Sequence, residues 1–156
     1  MRLDMQLITN AADCSSLLAR LERLTPDASR RWGTLAAPEM LRHLIDSFQA
    51  VTGARVASAR ESWTSRVILK FFALYVPLPW PKGFPTRPEL DPRRGGSRPG
   101  DFMRDRAELT EWIRRVGATP QSVTWVRHPG FGQLSEWEWA RWGYLHVDHH
   151  LRQFGL

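Results

Sequence analysis

The stretch from Leu145 to Phe154 carries the residues best suited to chemistry. Its sequence is Leu-His-Val-Asp-His-His-Leu-Arg-Gln-Phe, so His146 and His150 lie four positions apart. In an α-helix this spacing puts two side chains on one face, one turn apart, where both imidazoles can bind one metal ion. Such pairs also occur as surface residues or as hydrogen-bonded core histidines, and a metal site needs further ligands.

Helical periodicity turns both of these histidines toward the interior. On a helical wheel they share one apolar sector with Trp139, Gly143 and Phe154. His149 lies on the flank of that sector, so we expect it to contact a ligand or face solvent rather than bind the ion. Gln153 is a further candidate for contact with the ligands or the pocket.

A third histidine lies far upstream, in a segment that the sequence predicts to be helical. Thr34 is a candidate cap, Pro38 suits a first turn, and apolar residues recur at helical spacing at Leu41, Leu44, Ile45 and Phe48. His43 lies at the edge of that apolar face, next to Ser47, where a side chain can reach a cleft between helices. It could equally be a partly exposed helix histidine.

These segments resemble the DinB/YfiT-like superfamily of metalloenzymes, and more closely an uncharacterised subgroup within it. In that subgroup a Trp-Gly segment leads into a helix with one His, as at Trp32-Gly33 here. A later HPxFG element matches 128–132, and a final HxxHHLxQFG motif matches 146–155. The resemblance spans most of the chain, from about Trp32 to Leu156.

The resemblance implies a fold, a ligand set and a range of activities. The superfamily holds its metal with one His from the second helix and an H-x3-H pair from the last, which correspond to His43, His146 and His150. It implies an all-α, four-helix antiparallel bundle with a long proline-rich crossover loop. Relatives are low-molecular-weight thiol transferases or isomerases, and others are hydrolases. Imidazole ligands suit zinc, nickel, iron or copper, with zinc or nickel as first candidates.

Apolar periodicity and stop signals predict five helical segments, and no strand pattern accompanies them. We expect helices over about 12–24, 37–52 ending at Gly53, 62–75, 101–116 ending at Gly117, and from the capping box at Ser135 to the end of the chain. Four of them are long enough to pack antiparallel in one domain over 1–156. The third, rich in large apolar residues, should be central or should cover a partner subunit.

Residues 76–100 hold seven prolines and four glycines, which exclude regular structure. We expect Trp80 and Phe84 to anchor the first half of this loop and the segment 93–96, Arg-Arg-Gly-Gly, to be mobile. The loop is a lid across one end of the bundle or a plain connection, and its length does not decide between the two.

Composition sets further limits. The formal net charge is +6, but the positive residues are scattered among acidic neighbours, so we expect no nucleic-acid partner. The single Cys14 cannot form an internal disulfide, and no segment is suited to a signal peptide or a membrane span. We therefore expect a cytoplasmic protein without a membrane partner. The apolar third helix and eight tryptophans suggest a homodimer.

The leading hypothesis is a metal-dependent enzyme that acts on a small molecule as a low-molecular-weight thiol S-transferase or a hydrolase. A divalent transition metal would be its cofactor, and a thiol its co-substrate. The alternative is a non-catalytic helical protein that binds a small ligand or a partner without metal. The sequence places no evident general base near the site, since Asp46 faces away from the apolar side and Glu39 precedes it. His128 is a candidate for orienting a ligand or for a turn.

Overall fold

The fold is all-helical over the residues that the computed structural model describes, 5–60, 62–118, 121 and 123–156. Its α-helices are α1 (Ala11–Glu22), α2 (Ala37–Val51), α3 (Lys70–Tyr75), α4 (Phe102–Ala118) and α5 (Glu136–Gln153). A π-helical turn, Ser65–Leu69, runs directly into α3, and a 3₁₀ turn covers Pro88–Leu90. The described residues form no strand, and their β-pairing is limited to a bridge between His128 and Gly132. None of the described helices has the length and apolar character that a membrane span requires.

The ends of α1 and α5 follow from local hydrogen bonds. The side chain of Asn10 accepts from the first amides of α1, so the helix starts one residue before the predicted position. It stops at Glu22 rather than at about Leu24, because the next two amides turn to carbonyls three residues back. At α5 the predicted capping box is confirmed, since the amide of Ser135 donates to Glu138 and the Glu138 amide donates to the Ser135 hydroxyl.

The predicted bounds of α2 are confirmed to within a residue, but its predicted cap is wrong. Ala36 precedes the helix, and its amide donates to the Glu39 carboxylate at 2.8 Å, which satisfies an amide at the helix start. The Thr34 carbonyl instead accepts a hydrogen bond from Arg93 of the crossover loop, residues 76–100. The helix ends before Gly53, whose φ of 79° is a conformation that favours glycine.

Gly117 does not end α4, which continues to Ala118. Its role is close packing instead: a Cβ at this position would lie 2.8 Å from the Ile8 carbonyl oxygen and 2.9 Å from Cys14 Sγ. Glycine therefore lets α4 approach the start of α1. The sequence alone does not distinguish a glycine that allows two helices to approach closely from a glycine that ends a helix.

Four helices build the core and bring the histidines together. Both α4 and α5 pack against α1 and α2, and α4 also packs against α5. The apolar stripes of these helices are buried, and Leu17, Leu44, Phe48, Leu109 and Val147 have no exposed surface. Because α2 and α5 contact each other, the middle of α2 faces the C-terminal half of α5.

The helical segment 63–75, formed by a first turn, the π-helical turn and α3, lies on the surface. Of its residues only Leu74 is buried, whereas the large apolar side chains Trp63, Val67, Ile68, Leu69, Phe71, Phe72 and Tyr75 are exposed. The expectation of a central position is therefore wrong. The segment packs on α5 alone among the described helices, so one of its sides is covered and the others are not.

Candidate metal centre

Three imidazoles converge where the middle of α2 meets the end of α5. One nitrogen from each of His43, His146 and His150 lies within 4.8 Å of the other two. The ring centroids are 5.3 Å apart for His43 and His146, 4.7 Å for His43 and His150, and 5.1 Å for His146 and His150. We call these residues the three-His cluster. Among the described residues, this is the group whose ligand atoms lie close enough together to hold one metal ion.

The cluster is largely shielded from solvent. His43 is 5 % exposed and His150 is 7 % exposed, while His146 keeps intermediate exposure. The alternative of a partly exposed His43 is therefore wrong. The reason is the 3₁₀ turn Pro88–Leu90 of the crossover loop, which packs on α2.

Hydrogen bonds fix the tautomers of two rings. His43 Nδ1 lies 2.8 Å from the Leu90 carbonyl oxygen, and His150 Nδ1 lies 2.8 Å from Gln153 Oε1. Both oxygens only accept, so each Nδ1 carries the proton and each Nε2 lone pair is free. Outer acceptors of this kind orient the imidazoles of many metal sites.

His146 completes the set with a different support. Its Nε2 lies 3.3 Å from His43 Nε2, and a tetrahedral ion with zinc–nitrogen distances of about 2.0–2.1 Å separates its ligand nitrogens by about 3.3–3.4 Å. Its Nδ1 is buried and finds no hydrogen-bond partner among the described residues. The ring is held instead by Trp142 and Trp80, with centroids 5.0 and 5.9 Å away.

Burial keeps these rings neutral. It is the main cause that lowers the pKa of His43, and it lowers the pKa of His146 and of His150 well below the ordinary histidine value. The neighbouring histidines act in the same direction on His146 and His150. Because a metal binds the neutral imidazole, the environment maintains the form that can coordinate an ion near neutral pH.

The crossover loop supplies two neighbours of the cluster. The Leu90 carbonyl binds His43, and Trp80 packs on His146 while its Nε1 donates to the Ala73 carbonyl at 2.8 Å. Trp80 is thus an anchor, as predicted, whereas Phe84 is exposed and the prediction for it is wrong. The segment 93–96, expected to be mobile, is tied by ion pairs of Arg93 with Glu39 and of Arg94 with Asp91.

The remaining candidate residues lie at different distances from the cluster. Gln153 binds His150, and the ring of His149 packs 4.7 Å from Trp32 and 5.3 Å from His150. Ser47 Oγ donates to the backbone carbonyl of His43, one turn earlier in the same helix, and thus binds the backbone of His43 rather than its ring.

His128 stands apart from the three-His cluster. Its Nδ1 accepts from the amides of Gly130 and Phe131, both at 3.0 Å, and its ring stacks on Phe131. Trp142 contacts the rings of both His128 and His146. Burial and the charge of Arg87 lower the pKa of His128 to about 3. His128 therefore organises the turn that precedes α5.

The two carboxylates nearest to His43 in sequence are engaged elsewhere. Asp46 has no exposed surface and accepts from the amide and hydroxyl of Ser97 and from Arg55. Glu39 accepts from Arg93 and from the amide of Ala36, the residue that precedes α2. Both hold the crossover loop or the helix start, so neither serves as a general base in this arrangement.

A cleft of about 860 Å³ adjoins the cluster, and the sequence did not reveal it. Trp80 and His149 form the wall next to the cluster, while the ligands themselves do not line the cleft. Its other walls come from the chain before α1, from Arg20 of α1, from the residues Arg31 and Trp32, from the segment 77–82 and from the chain between Arg141 and Leu156. Backbone carbonyls such as that of Leu90, and contacts between distant segments, leave no local signature in a sequence.

No protein-family model, no curated protein and no solved structure matches this chain.

Proposed function

We propose that this protein is a metal-dependent enzyme of the DinB/YfiT-like type, acting on a small molecule as a low-molecular-weight thiol transferase or a hydrolase. The proposal includes a four-helix antiparallel bundle formed by α1, α2, α4 and α5. The observation that carries it is the convergence of His43, His146 and His150 from helices about a hundred residues apart, with two Nε2 lone pairs left free by outer hydrogen bonds.

A divalent transition metal, zinc or nickel first, would be held by these three imidazoles. Three protein ligands leave a coordination position open, which is typical of catalytic rather than structural sites. A metal of this kind supplies a bound water of lowered pKa or holds a thiol as its thiolate. The chain contributes neutral ligands, ring packing by Trp80 and Trp142, and a largely water-excluding site. The two carboxylates nearest to His43 in sequence, Asp46 and Glu39, are engaged elsewhere, and this slightly favours the non-catalytic alternative.

The experiment is metal analysis of untagged protein purified without chelator. We expect close to one equivalent of transition metal in the wild type and its loss in His146→Ala and in His150→Ala. His149→Ala is the matched control, because this neighbouring histidine is not part of the cluster. Metal in all variants alike, or in none of the proteins after zinc or nickel is supplied, would contradict the proposal.

Thermal melting provides a second reading of the same site. An ion that binds only the folded state stabilises it by about 2.7 kcal/mol at one hundred times its dissociation constant. Added zinc or nickel should therefore raise the melting temperature of the wild type and of His149→Ala, and leave that of His150→Ala unchanged. A spectral change on thiol addition to cobalt-substituted protein would separate thiol transfer from hydrolysis.

The second candidate is a non-catalytic small-ligand or partner-binding protein without metal. It is supported by the 3.3 Å contact between His43 Nε2 and His146 Nε2, which can be a hydrogen bond between neutral rings in the absence of an ion. Under this alternative the melting temperature does not respond to metals, and the cluster is a set of core histidines.

We further propose that the 63–75 segment pairs with a second copy of the chain. Its seven exposed side chains present roughly 700 Å² if a fully exposed large side chain offers roughly 150–250 Å². That is more than the roughly 300–600 Å² of the largest patch on an ordinary monomer, and near the roughly 800 Å² that each partner buries in a stable interface. The segment is continuous, so a symmetric partner can cover it along its length.

A further inference from the structure

The cleft beside the three-His cluster is unusually rich in positive charge. Five cationic side chains line it, from Arg20, Arg31, Lys82, Arg141 and Arg152, against one carboxylate side chain among the described lining residues, that of Asp148. This carboxylate is already paired, with Arg20 at 2.8 Å and Arg152 at 3.8 Å. The other three cations form no ion pair with a described residue.

Arg141 is the decisive member of this set. It is only 2 % exposed, and it donates hydrogen bonds to neutral acceptors. Its Nε donates to the Leu74 carbonyl at 3.3 Å, and its Nη1 donates to the Gln6 carbonyl at 2.9 Å and to Gln6 Oε1 at 3.4 Å. Buried charges in proteins are ordinarily paired, because an uncompensated charge in a low-dielectric site is costly. Burial lowers the pKa of Arg141, and the carboxylates of Asp148 and Asp13 offset its charge only from beyond ion-pair distance. A buried guanidinium that lines a cleft and lacks a direct carboxylate partner among the described residues therefore favours an anion in the cleft.

The uncharged residues that line the cleft indicate the chemical character of the rest of the ligand. Trp32, Trp80 and Tyr144 line the cleft together with apolar residues such as Leu78 and Leu145. Flat aromatic faces and aliphatic side chains bind an apolar or aromatic body, and a guanidinium binds a carboxylate or phosphate in a bidentate manner. A volume of about 860 Å³ suits a small molecule.

We propose that this cleft binds a small anionic molecule, a carboxylate or phosphate with an apolar or aromatic body, whose charged group pairs with Arg141 while Arg31 and Lys82 attract it at the rim. The site goes beyond the proposed metal chemistry and does not depend on it, because none of the three ligands lines the cleft. Trp80 and His149 line the cleft and also make ring contacts with the cluster, so an anion bound in the cleft would lie on their far side from the three histidines.

The test uses benzoate as the probe, with benzamide as its neutral analogue and inorganic phosphate as a second anion. Binding is followed by tryptophan fluorescence and by thermal melting. The protein is first freed of metal with 1,10-phenanthroline, a neutral chelator, and dialysed, so that coordination to an ion cannot account for binding. We expect saturable binding of benzoate or phosphate, weakened by salt, and at least about tenfold weaker binding of benzamide.

The variants are chosen to keep the result decisive. Arg141→Met should abolish anion binding, and the double variant Arg31→Ala with Lys82→Ala, confined to exposed residues, should weaken it even if Arg141→Met fails to fold. Arg104→Ala, an exposed arginine of α4 outside the cleft, is the matched control and should bind as the wild type does. Equal binding of benzoate and benzamide, full benzoate affinity in the double variant, or no saturable binding of either anion would overturn the proposal. Anion binding in metal-free protein that shows no metal uptake would uphold this site while refuting the metal centre.

Discussion

Two helical regions carry similar sets of large apolar side chains and place them in opposite surroundings. In α5, Trp139 and Trp142 are 2 % and 4 % exposed, whereas in the 63–75 segment Trp63, Phe71 and Phe72 are 65 %, 54 % and 61 % exposed. The difference lies in their neighbours, because α5 packs against α1, α2 and α4, while the 63–75 segment packs on α5 alone among the described helices. Apolar composition thus predicts that a helix has a face to bury, but it does not predict which part of the chain or which partner buries that face.

The largest expected effect comes from truncating an aromatic residue in each region. Trp139→Ala leaves a cavity where Trp125 and His128 pack on the indole, so it should lower the free energy of unfolding by about 3–5 kcal/mol. Phe72→Ala, at an exposed position, should change it by less than about 0.5 kcal/mol in dilute protein. Urea unfolding of both variants at low concentration makes the comparison. Similar losses in the two variants would mean that the 63–75 segment is part of the same cooperative core.

The next effect concerns acid stability on the α5 side. Burial lowers the pKa of His128 to about 3, so the unfolded chain binds a proton there that the folded protein does not bind as the pH falls below the ordinary histidine value. The stability from this residue is therefore complete above about pH 6.5 and is lost toward pH 3, by about 1.4 kcal/mol for each pH unit. His128→Asn keeps an acceptor for the two amides but does not titrate.

Urea unfolding of metal-free protein at pH 7, 6, 5 and 4 checks this prediction. As the pH falls, unfolding of the wild type should take up about one proton more than unfolding of His128→Asn. The free energy of unfolding of the wild type should therefore fall by roughly 3 kcal/mol more than that of the variant between pH 7 and pH 4. Buried His43, His146 and His150 add to the slope in both proteins, so the difference between the two curves is the quantity to compare. Parallel curves would show that His128 is solvated or already protonated in the folded state.

How far the sequence predicts this molecule can be judged at particular residues. Capping at Ser135 and the glycine stop at Gly53 place helix ends to within a residue or two, because both act through local backbone chemistry. The three-His cluster emerges from helical spacing and from the resemblance at 146–155. The surface position of the 63–75 segment, the role of Gly117 and the burial of Arg141 beside the cleft depend on which segments approach each other. Local sequence patterns carry no such information.

A smaller effect is expected at the link between the two regions. Glu138 of α5 receives Lys70 Nζ at 2.9 Å and the Tyr75 hydroxyl at 3.1 Å, and it also caps its own helix. Glu138→Gln keeps an oxygen for the cap but removes the ion pair, so it should cost about 1 kcal/mol and loosen the 63–75 segment. Hydrogen exchange should report faster opening at 70–75. Glu136→Gln, an exposed acid of the same first turn, is the control.

The smallest effect on folding, and the sharpest test of what covers the exposed segment, comes from a charge placed on it. Phe72→Glu should leave the free energy of unfolding of the monomer within about 0.5 kcal/mol, because the position is exposed in a single chain. In a dimer the same carboxylate would be buried in an apolar interface without a partner, which is strongly unfavourable. Light scattering should therefore give twice 18.0 kDa for the wild type and 18.0 kDa for the variant.

Met103→Glu alters an exposed apolar residue of α4 and should remain a dimer. A wild type that is monomeric at high concentration would show that the 63–75 segment does not pair with a second copy of the chain. A dimer that persists in Phe72→Glu would place the dimer interface on another surface.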